Sequence, residues 1–252
     1  MLKSLLLGSV LGAWAAFAAP TMAQTTVTPD QIKEDANDPY EDINRAFFGL
    51  NEVLDDIFLR PAAVTYRAVI PQYGRDRVRN VLNNLDSPVV FANDVLQGEG
   101  DRAGTTVMRF LLNSTFGVLG IWDVATDWGF PFHDEDFGQT LAVWGVDEGP
   151  YWYVPLLGPS NPRDSVGRLV DIGLDPVTYV TWGDDYEWVP FARTAINIID
   201  LRSRNIETLD AIERDSIDYY ASVRSLYRQF RKDAINNGEP SADLPEFDAN
   251  IR

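Results

Sequence analysis

The 252-residue chain contains no cysteine. That absence removes disulfides, zinc–thiolate sites, thiol nucleophiles and any lipid attached through a cysteine sulfur. Histidine occurs once, as His133, which leaves little room for His-based metal sites or catalytic triads. Positive charge is scarce: 21 Lys and Arg stand against 38 Asp and Glu, a formal net charge of -17. So acidic a chain repels polyphosphate, which argues against nucleic acid as a partner. Past the N-terminus no run of about 18 apolar residues occurs, so no ordinary transmembrane helix is expected. Apolar residues are nevertheless plentiful at 45%, with 12% aromatic. That content excludes disorder over the whole length and suffices for a sizeable core.

Residues 1–23 (MLKSLLLGSVLGAWAAFAAPTMA) carry one charge, Lys3, ahead of an apolar stretch ended by Pro20. They read as a signal peptide cleaved after Ala23, too short in its apolar part to span a bilayer. Residues 24–37 are polar and aperiodic and read as a flexible leader. From Glu41 to Leu59 apolar residues recur at three- and four-residue steps: Ile43, Phe47, Leu50, Leu54, Ile57. This is an amphipathic helix, expected to end at Arg60-Pro61. Further helices are expected over 61–70, 75–85, from Ser87-Pro88 to a stop at Gly98, and over 101–116 continuing to Asp127. A short helix fits 134–143, capped by Asp134, and another opens at Asn161-Pro162. Residues 128–162 are rich in Gly, Pro and aromatics, with no convincing hairpin, since Pro155 interrupts the one strand-like run. The stripe from Ile206 to Phe230 predicts a helical arm over 191–238, followed by an acidic tail at 239–252. The class is mainly α.

Few motifs suggest bond chemistry. His133 beside Asp134, Glu135 and Asp136 would fit either a divalent ion or a polar helix start. No G-x-S-x-G holds a serine nucleophile, and Gly98–Gly104 departs from the dinucleotide-binding spacing and follows a helix. No metal or cofactor is expected. What remains is amphipathicity, which suits a helix packed on a core or one lying in a bilayer interface. Periodicity does not choose between them.

Several strings in order do more. They are Asp38-Pro39-Tyr40-Glu41-Asp42-Ile43-Asn44-Arg45, Arg60-Pro61, Tyr66-Arg67, Asn84-Leu85, Leu96-Gln97-Gly98 and Arg109-Phe110-Leu111-Leu112-Asn113-Ser114-Thr115. Glu135-Asp136-Phe137-Gly138-Gln139-Thr140-Leu141, Trp144-Gly145-Val146, Gly149-Pro150-Tyr151, Pro155-Leu156-Leu157-Gly158-Pro159-Ser160 and Arg163-Asp164 follow. Over roughly residues 38–235 the chain resembles the MlaA (VacJ) family of outer-membrane lipid-asymmetry proteins. The resemblance implies a ring-like disc of amphipathic helices with a central channel, spanning residues 38–190, in the inner leaflet of the outer membrane. It implies removal of misplaced outer-leaflet phospholipid, hand-off to a periplasmic lipid carrier (MlaC-like), association with a trimeric porin, and no enzymatic step. The family is commonly lipidated on a cysteine. This chain resembles its non-lipidated members.

By that resemblance Phe47, Phe48 and Leu50 are candidates to face the membrane or pack a gate, and Asn51 to line a polar path. Arg67 and Arg109 are candidates for phosphate contact, because Arg forms forked hydrogen bonds to phosphate. Trp144, Tyr151, Trp152 and Tyr153 are candidates for the headgroup level, where amphipathic rings are favoured. Competing readings are a periplasmic hydrolase using His133 and a soluble periplasmic scaffold.

Overall fold

The computed structural model describes residues 37–181 and 186–237. The signal peptide, the leader up to residue 36, Gly238 and the acidic tail lie outside them. The described chain is mainly helical, as expected. α1 (Glu41–Leu54) passes through a π-helical turn (Asp55–Leu59) directly into α2 (Arg60–Val69). The break expected at Arg60-Pro61 is absent. Pro61 has no N–H for the ordinary α-helical bond, and the wider turn, in which the Arg60 N–H reaches the Asp55 carbonyl, carries the chain past it. The Arg202 guanidinium holds this turn through two bonds to Asp55, of 2.9 and 2.8 Å.

α3 (Gln72–Gln97) runs without interruption through Pro88, where a new helix start was expected. The proline removes one internal bond, and the Ser87 hydroxyl adds one to the Asn83 carbonyl at 3.1 Å. The helix stops at Gly98 in the left-handed conformation, as the sequence indicated. α4 (Gly100–Thr115) does not continue to Asp127. Val118, Leu119 and Gly120 all take positive φ, and the chain resumes helix only at α5 (Val124–Asp127). α6 (Phe137–Val143) is capped by Asp136, whose carboxylate accepts the Gln139 N–H at 2.9 Å, and not by Asp134.

β1 (Trp152–Val154) and β2 (Gly158–Ser160) form an antiparallel hairpin that the sequence did not predict. Pro155 lies in its turn, where no ladder N–H is needed. α7 (Pro162–Leu174) starts at Asn161 as expected, and α8 (Pro176–Val180) follows. The stripe expected to form one arm is divided into α9 (Val189–Arg204), α10 (Ile206–Asp215) and α11 (Tyr219–Ile235). Asp218 caps α11 by accepting the Ala221 N–H at 3.1 Å. These helices fold back: α9 packs on α2, and α11 on α6 and β2. Arg231 of α11 bonds both Asp136 and Asp164. Phe48, Tyr151, Tyr153 and Tyr220 make the aromatic core, with Tyr227 against its edge.

Burial runs opposite to that of an ordinary soluble domain. The largest fully buried side chains are Asn44, Asn93, Asn161, Thr140, Asp94, Asp200, Ser160 and Ser203, all polar. The stripe of α1 faces outward, with Ile43, Phe47, Leu50, Val53 and Ile57 exposed, while Asn44 from its polar side is buried. The same holds for Val107, Met108, Phe110 and Leu111 of α4 and Val166, Leu169 and Ile172 of α7. Among the described residues no helix is long and apolar enough to cross a membrane.

Candidate functional site

α3 and α4 pack through their polar stripes. Asn80, Asn83, Asn84 and Ser87 recur at helical spacing on α3. Thr106, Arg109 and Asn113 do so on α4. Together with Val90, Asp123, Phe132 and His133 they line a narrow crevice with about 20 Å³ of free room. Val107, Met108, Phe110 and Leu111 of α4 are exposed, as are Leu85, Phe91 and Val95 of α3. A polar crevice thus sits directly behind an apolar wall.

The cleft's cation already has its anion. Both Asp123 oxygens lie 3.0 Å from Arg109 Nη2, and Arg109 Nη1 donates to the Phe130 carbonyl at 2.6 Å and to Thr126 at 2.9 Å. Burial pushes the Asp123 carboxyl up, but bonds from Thr126, Asn113 and Arg109 outweigh it and hold it below the usual range. Amides and hydroxyls make up most of the remaining lining. They are neutral donors and acceptors, in a space of the size of one water.

A second network adjoins the cleft at Thr106 and His133. The fully buried Asp94 accepts from the Thr106 hydroxyl at 2.6 Å and lies 3.1 Å from His133 Nε2. From there polar side chains continue through Arg102, Glu135, Gln97, Thr140 and Asn93 to Asp171. Burial lifts the Asp171 carboxyl to about 6, although Asn93 and the Phe137 N–H bond it. His133 Nε2 faces both Asp94 and the Thr106 hydroxyl. A hydroxyl-activating triad needs the carboxylate on the other ring nitrogen, so this arrangement does not form one. Among the described residues no group of three His, Cys, Asp or Glu is placed to hold a metal ion.

Of the candidates for a lipid path, gate or headgroup level, Arg109 alone lines the cleft; His133 of the competing hydrolase reading lines it too. Phe47 and Leu50 are exposed on α1. Phe48 is a core residue, in edge-on contact with Tyr153, Tyr219 and Tyr220 at 5.2–5.5 Å. Asn51 Oδ1 accepts the Leu156 N–H at 2.9 Å and so ties α1 to the hairpin turn. Arg67 pairs with Glu207 at 2.7 Å. Trp144 is exposed, its indole N–H donating to the Leu96 carbonyl at 3.0 Å. Trp152 is half-buried and donates to the Ser165 hydroxyl. Tyr151 and Tyr153, expected at the headgroup level, are buried in the aromatic core instead. The lining asparagines lie outside the apolar periodicity of residues 75–85. The polar residues at 80, 83, 84 and 87 carry an equally regular signal.

The family model described as MlaA lipoprotein matches residues 36–234. An uncharacterised protein of Rickettsia bellii is 37% identical over 199 residues, covering 79% of this chain and 76% of that protein. The intermembrane phospholipid transport system lipoprotein MlaA of Escherichia coli is 34% identical over 207 residues, covering 80% and 79%. A solved structure concerned with the structural basis for maintenance of bacterial outer membrane lipid asymmetry superposes with a TM-score of 0.71. It is 31% identical, covering 79% of this chain and 99% of that one. With the polar cleft, the outward apolar wall and these similarities in hand, the chain belongs to the MlaA family.

Proposed function

We propose that the protein is the outer-membrane component of a phospholipid transport system. It lies as a disc in the inner leaflet, takes up phospholipid misplaced in the outer leaflet and passes it to a periplasmic lipid carrier, beside a trimeric porin. The observation that carries this reading is the inverted burial: apolar helix stripes outside, asparagine, threonine and aspartate inside. In water such a surface is costly. In acyl chains each large exposed side chain contributes up to about 1.5–3 kcal/mol on full transfer, and the stripes of α1, α4 and α7 together outweigh repulsion of those acidic groups that come close to anionic lipid, about 1 kcal/mol for each such charge and screened within a Debye length. A soluble scaffold would turn these stripes inward. The His133 geometry gives the hydrolase reading no support.

A lipid conduit needs a wet path for the headgroup and shielded apolar walls for the tails. The buried asparagines, threonines and aspartates supply polar groups for the first, and the exposed apolar side chains of α1, α4 and α7 border the second. The ring and its channel are part of this proposal. Purification in mild detergent, with mass spectrometry of co-eluting lipids and proteins, tests it. Bound phospholipid is the expected result; protein free of phospholipid that stays dispersed in buffer without detergent refutes the proposal.

A further inference from the structure

An open groove of about 550 Å³ runs between the first turns of α3 and residues 116–127. It shares Asn80 and Asp123 with the narrow crevice but, unlike the crevice, has room for a ligand. α3 contributes Asp76, Arg77 and Arg79 to its lining, and the later segment contributes Asp123 and Asp127. Arg109 already neutralises Asp123, at 3.0 Å. That leaves two cations and two carboxylates in one groove, and they do not cancel in pairs.

Arg77 is held by neutral groups. Its guanidinium carbon lies 4.6 Å from the centre of the Tyr73 ring, and its Nη1 donates to the Ile121 carbonyl at 3.3 Å. Arg79 lies 3.7 Å from Asp76, too far for a hydrogen bond, and Asp76 accepts instead from Gln72 at 2.9 Å. The Nε atoms of both arginines are shut off from water without a bond, and buried donors are costly to leave unmet. Asp127 is exposed, and among the described residues its carboxylate has neither a hydrogen bond nor an ion pair. Arg204 adds charge at the Arg79 end: burial lowers its guanidinium, Asp200 opposes that, and the nearby Arg79 reinforces it. The groove thus has a positive end at Arg79 and a negative one at Asp127. Its rim is aromatic. Phe116 and Trp122 are exposed, with Trp128 5.5 Å from Phe116 between ring centres and the Tyr73 hydroxyl accepting the Trp122 indole N–H at 3.3 Å.

We propose that this groove binds a zwitterionic, amine-bearing phospholipid headgroup, with its phosphate on Arg79 and Arg77 and its ammonium on Asp127. Phosphate oxygens accept the forked donors that the protein leaves unmet. A primary ammonium supplies the cation that Asp127 lacks. An anionic headgroup without an amine would satisfy the arginines and leave Asp127 facing a like charge. The rings at the rim suit the level where headgroup meets acyl chain. This inference rests on the phospholipid reading given above and deepens it by naming the headgroup class and the residues that select it.

The test titrates the mature protein in mild detergent with dihexanoyl phosphatidylethanolamine, dihexanoyl phosphatidylglycerol and inorganic phosphate, and counts bound ligand by native mass spectrometry. Phosphatidylethanolamine should bind about fivefold more tightly than phosphatidylglycerol, and inorganic phosphate more weakly than either. Asp127→Asn should abolish the preference without weakening phosphatidylglycerol, and Asp127→Lys should invert it. Arg79→Gln should weaken both lipids alike. Equal affinity of the parent for the two lipids overturns the proposal. So does a preference that survives Asp127→Asn, or inorganic phosphate that binds as well as phosphatidylethanolamine, which would mean a plain anion site. Should Arg79→Gln fail to fold, the Asp127 variants, altered only at an exposed side chain, still decide. Lipid co-purified from membranes separates this failure from that of the wider reading. Parent and Asp127→Asn carrying phospholipid of the same headgroup ratio removes the groove site alone, whereas parent protein without phospholipid removes the transport reading as well.

Discussion

Removing the Asp123 carboxylate would strand the Arg109 guanidinium, largely buried, with only neutral oxygens for partners. Asp123→Ala is therefore expected to destabilise the fold by about 2 kcal/mol, less than a fully buried pair because Asp123 keeps some solvent contact. A urea midpoint in detergent micelles that does not fall would contradict this. Asp171 behaves in the opposite way. Its folded value of about 6 lies above the ordinary 3.8. Its favourable contribution is fully present below the ordinary value and is lost as pH rises through 6. Asp171→Asn should flatten the melting temperature between those two pH values, as read by thermal scans. Asp123, held low, has the reverse sense: its stabilisation is present above the unfolded value and disappears as pH falls. At this scale the sequence was partly legible. Arg109 could be singled out, and an ion pair is a natural fate for arginine in an acidic chain. The identity of its partner depends on the turn at 117–123, which helix periodicity could not anticipate.

α1 was readable almost to its ends from the three- and four-residue steps of its apolar side. What could not be read was direction, because a stripe has the same period whether it meets a core or a lipid. Asn44 decides it. Its amide donates to Asp38 at 2.7 Å, and its oxygen accepts the Tyr153 N–H at 2.8 Å, so the polar side is the one that docks. Deleting one residue between Phe47 and Asn51 would rotate the two parts of the helix by roughly 100° relative to each other. Phe48 and Asn44 could then not dock together with Asn51 on the hairpin turn. The expected outcome is misdirected lipid, seen as phospholipid accumulating in the outer leaflet and lost detergent resistance, and a deletion strain indistinguishable from the parent would count against it. The single arm foreseen over 191–238 was wrong in continuity because Asn205 and Ser216–Asp218 interrupt the helix, and Asp218 restarts it. The hairpin was missed because each strand is only three residues long, too short for alternation to register.

The molecule as a whole should associate with bilayers without an acyl chain. Mature protein mixed with vesicles is expected to float with them through a sucrose gradient, and to remain afloat in high salt, since apolar transfer is not screened as ion pairing is. Protein left at the bottom would refute this. The helical class followed from the sequence; the mutual arrangement of the helices did not, because polar interior networks leave no hydrophobic pattern to follow. Those networks also bear on how the chain reaches its destination. A protein whose grease points outward has no safe resting form in an aqueous compartment. On the proposed outer-membrane placement, an escort covering those stripes is expected on the way, and in cells where delivery is blocked the protein should be recovered bound to a holding chaperone or as aggregate, not as a free monomer.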